Sequence, residues 1–202
     1  MQPTDTMASP QTEPVQLSKR PKRADARRNY DKLVAAAREA FTEADRSASL
    51  EDIARRAGVG IGTLYRNFPT RADLVEAVYV DEVEALARSA GASAELEPWE
   101  ALTTWLQRFV GYVATKQALT DELFAIAERD AAVFAGCRAM LHAAGEPLLR
   151  RAQEAQVVRP DVAIDEVVRM VGGIAKIPAD DAVTTTRPYV CSRMCTHAGW
   201  VT

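Results

Sequence analysis

Residues Ser49 to Leu74 read SLEDIARRAGVGIGTLYRNFPTRADL, and this stretch decides the fold. Leu50, Ile53, Ala54 and Ala57 recur at spacings of three and four, the period of one helical face. Ser49 stands at the N-cap position, and Asp52, three residues on, favours the positive end of the helix dipole. Gly58 stops that helix, as a glycine just past a C-terminus does. A second short helix follows Val59, with Leu64 and Phe68 as its anchors and Pro69 as its end. Thr70, with Asp73 at the third position, caps a further helix that carries Leu74, Ala77 and Val78 inward and runs on towards Leu86 and Ala90. Two short helices joined by the tight turn Ala57-Gly58-Val59-Gly60 cross steeply. The second helix of such a pair stands proud of the body and fits a major groove.

Upstream, Tyr30, Leu33, Val34, Ala37, Ala40 and Phe41 form an apolar stripe, so a first helix is expected from Asn29 to near Ala44. Lys19-Arg20-Pro21-Lys22-Arg23 is a basic arm, of the type that reaches into a minor groove beside the recognition helix. The residues before it are polar, rich in Pro, Thr, Gln and Ser, and read as a disordered tail.

Downstream, Gly91 to Glu97 reads as a linker of small residues. Pro98 suits a first helical turn. After it Trp99, Leu102, Trp105, Leu106, Phe109, Val110 and Val113 keep helical spacing over four turns. Thr120 caps another helix with Asp121 and Glu122 in its first turn. A longer pattern runs from Val133 to Leu149, with Gly145 and Pro147 expected to break or kink it. Ile164, Val167, Val168 and Val171 start one more helix. Sustained strand-like alternation and hairpin dipeptides are absent, so the reading is all-α. The organisation is a tail over 1–18, an arm and three-helix helix-turn-helix domain over 19–90, a second helical domain over 91–181 and an irregular tail over 182–202.

Charge is divided along the 202 residues. The net charge of the whole is −3, yet Lys19 to Arg71 holds thirteen Lys and Arg against seven Asp and Glu. A basic head on an acidic remainder suits a head that binds a polyanion. No apolar run approaches a membrane span and no secretory leader is evident, so a cytoplasmic protein without membrane partners is expected. Three sparse cysteines fit a reducing compartment. Cys191, Cys195 and His197 offer three ligands where a structural zinc takes four, so no metal and no cofactor is expected. An enzyme is disfavoured, because there is no Gly-rich phosphate loop, nucleophile elbow or HExxH. Asp121-Glu122 and Asp180-Asp181 are explained by helix caps and solvated loops. A helical module whose paired short helices contact only protein is the remaining alternative.

The second short helix carries the function. Its start, Gly60-Ile61-Gly62, is small enough for backbone to approach bases. Thr63 suits a thymine methyl or a phosphate, Arg66 a guanine or a phosphate, and Asn67 an adenine or a phosphate. Tyr65 offers a hydroxyl to a phosphate oxygen, Arg71 a guanidinium, and Ser49 a hydroxyl beside free N–H groups.

This stretch resembles the DNA-binding domain of TetR-type transcriptional regulators, over about Arg27 to Leu86. The resemblance rests on Leu50-Glu51-Asp52-Ile53-Ala54, Ala57-Gly58-Val59, Gly62-Thr63-Leu64-Tyr65, Phe68-Pro69 and Leu74. It implies a homodimer on double-stranded DNA at a palindromic operator, with contacts from Ser49, Thr63, Tyr65, Asn67 and Arg71; Arg27 joins the expected DNA-facing set. It also implies repression relieved by a small-molecule effector in the C-terminal domain. Asn67 departs from the usual aromatic or His before Phe68, and the connection Asp45 to Ala48 lacks the usual glycine. Tyr112 to Lys116, Ala143 to Leu149 and Val171 to Ile174 resemble one subgroup of these regulators. The family's last amphipathic helix, part of its dimer interface, has no counterpart in Val183 to Thr202, which reads as a truncated or frame-shifted end that would weaken or rebuild dimerisation.

Trp105, Phe109, Tyr112, Phe124, Phe134, Met140 and His142 are expected to line an effector cavity, against the alternative of a filled core. Gly172 and Gly173 suit either close approach of a partner helix or a helix end.

Overall fold

The computed structural model describes residues 17, 19–42, 48–93 and 95–177. Its regular elements are eight helices: α1 (Ala24–Thr42), α2 (Leu50–Arg56), α3 (Ile61–Asn67), α4 (Arg71–Ala92), α5 (Pro98–Ala118), α6 (Thr120–Arg129), α7 (Ala131–Glu154) and α8 (Ile164–Ile174). No strand occurs among the described residues. The all-α reading holds, with a helix-turn-helix pair α2–α3 near the N-terminus. The connection before Ala48, the first sixteen residues and everything after Ile177 lie outside the described residues. That includes the 182–202 tail and its Cys191, Cys195 and His197.

The punctuation read from the head has its physical counterpart. Ser49 Oγ accepts the Asp52 N–H at 3.1 Å, capping α2. At the other end Gly58 adopts φ +63°, Val59 N–H reaches Ala54 O at 3.0 Å and Gly58 N–H reaches Arg55 O at 3.1 Å. This is the Schellman termination, and its left-handed residue favours glycine. Thr70 and Asp73 form a reciprocal capping box at the start of α4.

α4 is the spine. It packs on α1 in the head and on α5, α6 and α7 in the body. Leu74, Val75, Val78, Tyr79, Val80, Val83 and Leu86 are buried along it, and the core is one continuous cluster from Tyr30 to Val171. Both arm cations next to the spine are tied to it. Lys19 pairs with Glu76 at 3.1 Å, and Arg20 pairs with Asp31 and Asp81. Arg38 of α1 reaches the same Asp81 and also Glu82. The arm therefore lies partly folded back on acidic residues of α1 and α4, leaving Lys22 and Arg23 exposed.

Several details differ from the sequence reading. α1 begins at Ala24 rather than Asn29, and α4 continues through Gly91 and Ala92 into the expected linker. Thr120 is the first residue of α6 rather than its cap: Leu119 is the N-cap and the Thr120 hydroxyl donates to Gln117 O at 2.8 Å. α7 runs unbroken through Gly145 and Pro147. Pro147 and Ala143, whose carbonyl loses its i+4 donor, are both exposed, so the unbonded carbonyl faces solvent rather than the core. Gly145 faces inward, where a Cβ would stand 2.7 Å from the Trp105 ring and 2.9 Å from Ile164. Trp105 itself is fully buried and donates to Leu86 O at 3.2 Å. Gly145 thus lets α7 close on α5 and α8 around an indole that also holds α4. Gly145→Ala forces that packing apart and should cost about 1–3 kcal/mol; a drop in thermal midpoint with the helical signal retained checks it.

Candidate nucleic-acid interface and cavity

α3 is held by one buried anchor, Leu64, and by Phe68 just beyond it, which packs on Tyr30 of α1 with ring centroids 5.0 Å apart. The rest of α3 faces outward. Gly60, Ile61, Gly62, Tyr65 and Arg66 are exposed, and Thr63 and Asn67 are half-buried. Tyr65 at 44 % and Ile61 at 40 % are among the most exposed large apolar side chains. A Cβ at Gly60 or Gly62 would meet nothing within 4 Å, so no internal packing requires glycine at either position.

The polar side chains of this face are arranged rather than free. Arg66 lies back along α3, with Nε donating to Gly62 O at 3.2 Å and Nη2 to Thr63 Oγ1 at 2.8 Å. Asn67 Nδ2 donates to Thr63 O at 2.8 Å, which leaves its carbonyl oxygen without that constraint. The Ser49 hydroxyl donates to Asp52 Oδ2 at 2.9 Å. The hydrogen bonds from Arg55 and Ser49 hold the Asp52 carboxyl below the ordinary carboxylate range.

Two of the expected DNA-facing cations have other work. Arg71 Nη1 donates to Ala48 O at 2.7 Å, its guanidinium stacks 4.8 Å from the Phe41 ring centroid, and Nε lies 3.9 Å from Glu122 of α6. It joins α1, the start of α2 and α6 through the first residue of α4. Arg27 binds the arm's carbonyls, Lys22 O at 3.2 Å and Pro21 O at 3.4 Å.

In the body a cavity of about 630 Å³ opens between α4, α5, α6, α7 and α8. Phe109, Tyr112, Phe124, Phe134 and His142 line it, whereas Trp105 and Met140 stand outside it. Trp105 fills the core between helices, one turn from Phe109 on the same stripe. Sequence reasoning missed Tyr79 of α4, next to Val78 on the helix read as carrying Leu74, Ala77 and Val78 inward. It also missed Lys116, Arg138, Arg169 and Lys176, which resemble ordinary solvated charges in a helix pattern. Gly172 and Gly173 lie on this wall in the last turn of α8, which ends at Ile174. Tyr112 donates to the Tyr79 hydroxyl at 3.1 Å. Burial pushes the Tyr79 phenol up to about 12 and the Cys137 thiol beside it to about 12, and raises Tyr112 too. These groups stay neutral and act as hydrogen-bonding partners.

Comparison with known proteins joins the two ends of this architecture. The model of bacterial regulatory proteins of the tetR family matches residues 33–78, and that of the SbtR-like transcriptional regulator C-terminal domain matches residues 97–196. A TetR transcriptional regulator of Streptomyces coelicolor is 37 % identical, covering 84 % of this chain and 99 % of that one, with a TM-score of 0.72. The chain belongs to the TetR family of transcriptional regulators.

A TetR regulatory protein of Mycobacterium vanbaalenii is 34 % identical over 76 % of this chain and 98 % of its own, with a TM-score of 0.61. A Rhodobacter sphaeroides TetR protein, 19 % identical over 82 % of this chain and 98 % of its own, shares the fold at a TM-score of 0.63. No curated protein matches the sequence. As a TetR-family regulator the chain is a DNA-binding protein, and its helix-turn-helix is the α2–α3 pair. Among the described residues no helix is long and apolar enough to cross a membrane. Ser49→Ala removes the α2 cap and should cost the head about 1 kcal/mol, read as a lower thermal midpoint.

Proposed function

We propose that this TetR-family chain is a cytoplasmic repressor that binds a palindromic operator as a homodimer and leaves it when a small molecule enters the cavity of the body. The observation that carries this is the position of α4. Its first residue, Arg71, bonds Ala48 O and stacks on Phe41 of the head, and its Tyr79 lines the cavity. A ligand touching Tyr79 therefore acts on the helix that packs on α1, and α1 in turn carries α3 through the Tyr30–Phe68 contact. Two α3 helices about 34 Å apart would enter successive major grooves, and a ligand that prefers another spacing weakens operator binding by its difference in affinity for the two arrangements.

On this reading the exposed face of α3 meets the bases. Gly62 and Gly60 let the backbone approach, Thr63, Arg66 and Asn67 reach base edges or phosphates, and Ile61 and Tyr65 supply apolar and hydroxyl contacts. Arg66 must leave its internal bonds to do so. Ser49 contributes at the α2 N-terminus. Arg71 and Arg27 serve first as braces of the head and meet phosphates from there.

Selection of bound sequences from random duplex DNA, followed by footprinting with the full chain, should yield a protected palindrome of roughly 15–30 base pairs. Its affinity should fall about tenfold or more for a few-fold rise in salt. In cells without the protein, transcription from a promoter carrying that palindrome should rise; a fall would make the protein an activator.

Gly62→Ala separates packing from contact. With open space around it and a helical backbone, the substitution should stabilise the fold by up to about 1 kcal/mol. The thermal midpoint should therefore rise while operator affinity falls at least several-fold. Unchanged affinity would remove Gly62 from the interface.

A further inference from the structure

The cavity has an unequal wall. Its inner side is aromatic and aliphatic, with Tyr79, Phe109, Phe134 and Leu141 among the lining. Its polar side carries Lys116, Arg138, Arg169 and Lys176, and among the described residues no Asp or Glu lines it. The contrast with the rest of the chain matters, because the residues outside Lys19–Arg71 carry an excess of acidic groups. Cations on such a body would ordinarily be matched by nearby carboxylates. Among the described residues no ion pair engages Lys116, Arg138 or Lys176, and Arg169 donates to the Asp165 main-chain oxygen at 3.2 Å. Among the described residues His142 is the one basic lining group with a carboxylate, Asp165 at 2.9 Å.

Lys116, Arg138 and Lys176 also lie within electrostatic reach of one another. The Lys116 ammonium stands 5.7 Å from the Tyr79 ring centroid, at the boundary between the aromatic and basic parts of the wall. Partial desolvation, then the charges of Lys176 and Arg138, hold its pKa below the ordinary lysine range. Like charges brought together beside an apolar surface, with no acid between them, are relieved by an anion that brings its own apolar body.

We propose that the cavity takes an amphipathic organic anion, with a carboxylate held by Lys116, Arg138 and Lys176 and a hydrocarbon or aromatic body laid against Tyr79, Phe109 and Phe134. This rests on the cavity being the effector site. At roughly 30 Å³ per unit, the liquid share of one water, the space holds about twenty non-hydrogen atoms. A medium-length fatty acid or an aryl-substituted acid fits that limit. The phenols of Tyr79 and Tyr112, neutral at physiological pH, sit where a body with a polar substituent could be hydrogen-bonded.

The test titrates the full chain, without DNA, with three probes of one chain length: decanoate, 1-decanol and decyltrimethylammonium. Decanoate should bind at least tenfold more tightly than decanol, and the ammonium more weakly than either. The double variant Lys116→Gln, Arg138→Gln should bring decanoate down to the decanol level and leave decanol binding and the thermal midpoint unchanged. Equal affinities for the three probes, no saturable binding of any, or a decanoate preference that survives the double variant would overturn the proposal. Release of the selected operator is measured separately. Decanoate that binds with the expected preference and leaves the operator complex intact supports the anion site and defeats its role as effector site.

Discussion

Everything in this molecule is arranged around burial of one helix on nearly all sides. α4 contributes buried apolar residues at 74, 75, 78, 79, 80, 83 and 86, too many directions for a single stripe. A helix apolar on one face only would need one partner layer; α4 needs both the head and the body. Its buried or nearly buried acids fit the same constraint. Asp81 is met by Arg20 and Arg38, and Glu76 by Lys19. Carboxylates placed so deep are tolerated only when paired. The arm and α1 thus supply the cations that allow α4 to be enclosed, and two basic residues that sequence reading assigned to DNA are engaged in that role.

Arg71 extends the same logic to the junction. One guanidinium bonds the Ala48 carbonyl, stacks on Phe41 and approaches Glu122. The planar, multi-donor geometry of arginine permits these contacts at once, which a lysine does not. The Glu122 contact is long and both side chains are about one-third exposed, so its own energy is small. Its meaning is positional: the start of α6, which borders the cavity, sits beside the residue that begins α4 and supports α2.

The head was legible in the sequence because its boundaries are set by local chemistry. Ser49, Gly58 and the Thr70–Asp73 pair act within a few residues of themselves, and each works as a short-range rule requires. The body was legible as helices but less so in its details, which depend on which neighbour lies across a gap. Pro147 carries a strong local signal against a helix, yet it falls on the solvent side of α7, where its effect is small. Gly145 carries the same local signal and is instead a packing site for Trp105. Trp105 and Phe109 lie one turn apart on a single apolar stripe; the first fills the core and the second borders open space. No periodicity separates them, because the distinction is made by α7 and α8. The cavity's cations were illegible for a related reason. Lys116 and Arg138 carry no local mark of a cavity, and only the assembled bundle brings them to one wall that holds no acid among the described residues.

That placement bears on how a ligand could be felt by the head. An apolar ligand in a cavity between packed helices gains nearly the same burial whether α4 stands in one position or another, and equal affinity for two states shifts neither. A ligand fixed at one end by charge is different. Its carboxylate would be held by cations on α5, on α7 and just past the end of α8, while its body would lie on Tyr79 of α4. Any displacement of α4 then changes the contact at one end of the ligand while the other end stays in place. Such a ligand distinguishes positions of α4 by the length and shape of its body, and the basic wall serves as the fixed point against which that length is read.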